Sequence, residues 1–108
     1  MADNNSDAVE QAWFTIDENF DTVYNAAPAE ARPELKALRD SARDAYWKAV
    51  EDGLAAGDGM VASTRAELNE AHEELKRLIE EMESLTAVVN AMAQVVKLAA
   101  ALVTLASI

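Results

Sequence analysis

From Leu68 to Ala106 two lines of apolar residues repeat every seven positions, with no glycine or proline between them. One line is Leu68, Leu75, Met82, Val89, Val96 and Val103. The other is Ala71, Leu78, Leu85, Met92, Ala99 and Ala106. A seven-residue apolar period is what helices show when they wrap on one another in a left-handed supercoil. Thr64 and Glu67 have the spacing of a capping box. The pattern therefore predicts one helix over 64–107, about 65 Å long at ~1.5 Å per residue.

The rest of the chain predicts two shorter helices. Val9, Trp13, Ile16, Phe20, Val23 and Ala27 follow at alternating spacings of four and three, the apolar face of a helix over about 7–26. Ser6 stands where an N-cap belongs, behind a polar lead over 1–5. Pro28 closes this helix, because the residue before a proline avoids the helical region. A second helix over about 30–55 starts at Pro28 or Pro33, both tolerable in a first turn. Its inner seam is Leu35, Leu38, Ala42, Ala45 and Ala49, and the alanines allow close helix approach. Gly57-Asp58-Gly59 reads as the turn that follows. The expected fold is all-α, with residues 1–108 forming a single domain. It is an antiparallel three-helix bundle whose extended C-terminal helix oligomerises. Two helices of about 30–38 Å cover the third only to about Thr86, so 87–108 projects as an association segment.

The projecting part also changes composition. All 20 acidic residues lie at or before Glu83, and after Ser84 the only charged side chain is Lys97. An exposed apolar surface of that extent needs a cover. Pairing between copies supplies one, as a dimer or tetramer through Leu85, Val88, Val89, Met92, Val95, Val96, Ala99, Leu102, Val103 and Ala106. A break near 84–90 supplies another, with the last segment folded back to give a four-helix bundle. A short turn there wants Gly or Asn, and Asn90 is the only such residue on offer. A third cover is a membrane, since 85–108 is long enough to span one. Asn90, Gln94 and Lys97 share one face of that segment, however, and a lysine within a bilayer is costly. A fourth is docking on a different protein.

The formal net charge is −11, from 9 basic and 20 acidic residues. That argues against binding nucleic acid, whose phosphates need basic surface. Cysteine is absent, which excludes disulfides, thiol catalysis and thiolate metal sites. No basic stretch leads into an apolar one at the N-terminus, so no secretory signal is read there and cytoplasmic residence is expected. His72 is the only histidine, and one residue past the Ala71 line it reads as a partly exposed surface imidazole. Lys76 stands where a zinc-protease helix carries its second histidine, and Asn69 where a di-iron bundle carries glutamate. Glu73, Glu74, Glu80 and Glu81 read as a solvated face beside Lys76 and Arg77. No serine sits in a nucleophile elbow. The chain is therefore expected to be no enzyme and to hold no cofactor or metal.

The first helix has no lysine or arginine. Asp17, Glu18 and Asp21 give it an acidic face suited to a basic protein partner. Phe14 and Trp47 lie off the inner seams and complete a candidate partner surface, since aromatics are enriched at interfaces. The leading functional expectation is a helical, self-associating adaptor, scaffold or small regulator that uses its C-terminal helix as an oligomerisation surface. A membrane-associated or membrane-spanning regulator acting through 85–108 is the second expectation. An acidic inhibitor or DNA mimic that binds a basic partner is the third.

Overall fold

The computed structural model of the chain describes residues 4–54 and 59–106. It is all-α. Helix α1 (Asn4–Ala26) is followed by one 3-10 turn (Ala29–Ala31), α2 (Arg32–Asp52), α3 (Gly59–Glu81) and α4 (Leu85–Ala106). The bundle fits within 40 × 22 × 21 Å, little longer than a single helix of this size at about 33 Å.

Local chemistry sets the first boundaries. Pro28 is extended, with φ −65° and ψ 157°. Arg32 Nε donates to the carbonyl of Ala27 at 3.2 Å, satisfying an acceptor near the end of α1. Pro33 falls in the first turn of α2, where its missing N–H costs no helical bond. Gly53, with φ 71°, caps α2 through its N–H to Ala49 O at 3.0 Å. The turn expected at Gly57-Asp58-Gly59 lies partly outside the described residues, of which Gly59 begins α3. The expected capping box is not used: Thr64 is already inside α3, and its hydroxyl donates back to Met60 O at 2.9 Å.

The single helix expected over 64–107 is instead two helices, so the fold is the four-helix alternative. Met82 adopts φ 49°, the left-handed conformation that ends helices, while its N–H still bonds Leu78 O at 2.8 Å. Ser84 then caps α4: its Oγ accepts from Ala87 N–H at 3.2 Å, and its carbonyl accepts from Val88 N–H at 3.1 Å. The break sits just ahead of the 84–90 window and does not use Asn90. Energetics favour it. A left-handed non-glycine residue costs about 1–2 kcal/mol. Val88, Met92, Val95 and Leu102 become fully buried, each worth about 1.5–3 kcal/mol.

The helices run up-down-up-down. Trp13 packs on Tyr46 while Tyr24 lies under Arg32, so α1 and α2 are antiparallel. Asn5 bonds Arg65 and Thr15 bonds His72, so α1 and α3 are parallel. The start of α4 at Leu85 lies beside Pro28 and Glu34, and Thr104 lies beside Asp44 and Lys48, so α2 and α4 are parallel as well. Among the described residues α2 and α3 do not touch, whereas α1 and α4 contact each other and both remaining helices. The core is built from Val9, Ile16 and Val23 of α1, Leu35 and the Ala42, Ala45 and Ala49 series of α2, Leu68 and Leu75 of α3, and ten residues of α4. Three neighbours around α4 leave water a line along Thr86, Asn90, Gln94, Lys97, Ala100 and Thr104, with Leu105 exposed beside its end. That accounts for its near-absence of charge.

Candidate functional site

The ten residues expected to join separate copies lie inside one chain. Val88, Val89, Met92, Val95, Val96, Ala99, Leu102, Val103 and Ala106 are buried, and Leu85 is partly buried against the same core. The surface expected to face a second copy therefore faces α1, α2 and α3. The reason is the hinge at Met82–Ser84, which returns the apolar face of α4 to its own bundle.

The other candidate surface is exposed and partly assembled. Phe14 and Trp47 are 40% and 51% exposed. Tyr46 joins them, with ring centroids 5.7 Å from Phe14 and 5.5 Å from Trp47, and it stacks on Trp13 at 6.2 Å. Val50, one turn beyond Trp47 on α2, is also exposed. This gives an apolar rim along the α1–α2 seam. Asp17, Glu18 and Asp21 are all exposed, but they do not form one face. Glu18 lines the groove between α1 and α3 together with Glu73, Lys76 and Arg77.

The acidic character of α1 is offset from the side. Arg32 and Lys36 of α2 lie over the Tyr24 ring at 5.0 and 5.7 Å, and Arg39 lies over the Phe20 ring at 4.1 Å. Cations so placed are attracted to the ring faces. The sequence carries a signal for this, because Arg32, Lys36 and Arg39 recur at helical spacing opposite Phe20 and Tyr24. A surface purely negative along α1 is thus not what a partner would meet.

His72 is buried, contrary to the expectation of a surface imidazole. Its Nε2 hydrogen-bonds Thr15 Oγ1 at 2.6 Å across the α1–α3 interface. Burial pushes its pKa below the ordinary 6.5, Lys76 pushes the same way, and Glu73 opposes them. The missed signal is spacing: His72 is four residues past Leu68 and three before Leu75, on the buried face of α3. Close by, Arg65 donates to the buried Asn5 Oδ1 at 3.0 Å. The outer face of α3 pairs Lys76 with Glu73 at 2.9 Å and Arg77 with Glu81 at 3.0 Å. These partners hold the Glu73 and Glu74 carboxyls below the usual range, through Lys76 and Arg77 respectively. Such exposed pairs contribute little to stability. Among the described residues, no three of His, Asp and Glu converge as a metal site.

The fold is that of an all-α four-helix bundle. No family model matches the chain, and no solved structure matches it. It is similar to ATP synthase subunit b of Mycobacterium marinum, with 40% identity over 77 residues, covering 71% of this chain and 40% of that protein. The ATP synthase subunits b of Mycobacterium bovis and Mycobacterium tuberculosis are 44% identical over 54 residues, covering 50% of this chain and 30% of each relative. The chain thus spans well under half the length of the curated relatives it matches. This likeness, together with α4, overturns the expectation of cytoplasmic residence. Leu85–Ala106 is a 22-residue helix long and apolar enough to cross a membrane, at about 33 Å against a hydrocarbon core of about 30 Å. Half of its most apolar stretch is buried within the bundle.

Proposed function

We propose that this chain is a non-catalytic helical protein that works by association, packing with copies of itself and with other chains. The likeness to subunit b of ATP synthase over 71% of the chain carries this reading, since those relatives are subunits of a larger assembly. The disposition of polar groups supports it. The sole imidazole is committed to Thr15, and Glu73, Glu74 and Glu81 to surface cations. The proposed contact surface is the Phe14–Tyr46–Trp47 rim. Asp17 and Asp21 beside it on α1 favour a partner segment that is apolar with basic flanks, and a dimer or tetramer of this chain is the simplest assembly.

Light scattering on detergent-free protein at micromolar to hundred-micromolar concentration tests this reading. A discrete oligomer is expected, and changing Phe14 and Trp47 to Ser should reduce its mass while helicity stays constant. A monomer throughout that range, with no chain captured from the host membrane fraction, would sink the reading.

A second reading is favoured by the length and apolarity of α4: membrane association through Leu85–Ala106. Flotation with phospholipid vesicles tests it. Protein recovered wholly in the unbound fraction removes its support.

A further inference from the structure

Helices α3 and α4 are joined by Met82–Ser84, which contains neither glycine nor proline. Met82 holds φ 49°, a conformation that a side chain bearing a Cβ rarely takes outside an over-determined setting. Its N–H bond to Leu78 O continues the α3 ladder up to the point where the chain turns. The seven-residue repeat crosses this turn without a change of register, with Leu75, Met82 and Val89 on one line and Leu78, Leu85 and Met92 on the other. The sequence is therefore written for a helix that the turn interrupts. Returning Met82 and its two successors to right-handed geometry would make one helix over 59–106, about 72 Å long.

Straightening withdraws α4 from its own core and uncovers Val88, Met92, Val95 and Leu102, all fully buried in the closed form. The surface that fits this face without new chemistry is the α1–α2–α3 groove of a second copy whose own α4 has swung out in the same way. We propose that the Met82 hinge opens and that two copies exchange α4, each completing the other's bundle. This rests on the self-association reading above and gives it a route through α4, separate from the Phe14–Tyr46–Trp47 rim. Exchange restores the core contacts of both chains, relieves the left-handed residue twice and closes under two-fold symmetry. The cost is the freedom lost on association, so the balance depends on concentration. Exchange also leaves Asn90, Gln94 and Lys97 on the watered line they already occupy. Lipid would have to take the lysine in.

Two substitutions push the hinge in opposite directions. Met82→Gly removes the penalty of the closed turn. Ser84→Ala removes the cap on Ala87 N–H and leaves a better helix former in the open state. Each should shift opening about fivefold per hinge, hence the dimer dissociation constant about 25-fold, weaker for glycine and tighter for alanine. The full chain is refolded from denaturant at low and high concentration and its mass is read by light scattering. Because the chain has no cysteine, spin labels at Glu67→Cys and Ala100→Cys report one separation when labelled protein is diluted into unlabelled. That separation should change from that of neighbouring helices, with axes about 8–10 Å apart, to about 50 Å in the dimer. A dimer whose labels stay close overturns exchange while leaving self-association standing. Monomer in every variant at every concentration overturns both. A long separation that appears only with phosphatidylcholine vesicles, without dimer, overturns exchange in favour of lipid.

Discussion

His72 and Thr15 show how one polar pair can tie two helices. The imidazole is enclosed between α1 and α3, and burial disfavours its charged form. The unfolded imidazole takes its proton near 6.5, the folded one only at lower pH. Between those values the unfolded state binds more protons, so stability falls as pH falls through that window and is regained above 6.5. Urea midpoints measured between pH 7.5 and 5 should drop for the parent chain and drop less for His72→Gln. Thr15→Val should strand a buried ring nitrogen and cost about 1–3 kcal/mol at pH 7.5, read from the same titration. The seven-residue lines in the sequence do not include His72, which is why they place it at the surface. Burial of this residue is visible only when its spacing to both Leu68 and Leu75 is counted. The exposure of Phe14 and Trp47, by contrast, follows directly from their positions off the inner seams.

At the scale of helices, the first two were legible because an amphipathic face and a proline or glycine boundary coincide. Ile16, Phe20, Val23 and Leu35 are buried as their spacing requires. The polar line of Asn90, Gln94 and Lys97 is likewise exposed. The break before α4 was not legible at its position. It rests on a methionine in a conformation normally left to glycine or asparagine, and the apolar repeat runs on through it. A repeat reports that a face must be buried and is silent on whether the cover comes from the same chain. Placement of that cover changes what a substitution should do. Met92→Asp with Val96→Asp would only separate copies if the face were external. With Met92 fully buried and Val96 nearly so, the pair should abolish cooperative unfolding, seen as loss of the thermal transition by circular dichroism. Leu102→Ala is the milder version, costing about 2–5 kcal/mol. Lys97→Ala, on the watered line, should stay within about 0.5 kcal/mol.

For the molecule as a whole, the charge of −11 is carried mainly by α1, with five acidic and no basic residues, and by α3, with six acidic and three basic, while α2 has five of each and α4 only Lys97. Like charges at this density oppose compaction, and the aromatic-borne cations of α2 relieve it only along one seam. Raising salt from about 20 to 200 mM shortens the screening length from roughly 20 Å to under 10 Å, so the melting temperature should rise over that range in scanning calorimetry. The all-α class and single core were readable from periodicity and composition. Which helices would be neighbours was not, since α1–α3 and α2–α4 contacts join segments distant in the chain. The separation of α2 from α3 has a practical corollary. The protein is two antiparallel hairpins clasped together, and the only covalent tie between them runs from Leu54 to Gly59. Two separately expressed fragments, 1–56 and 57–108, should therefore recognise each other on mixing and rebuild the whole fold by complementation, with no help from the peptide bond that normally joins them.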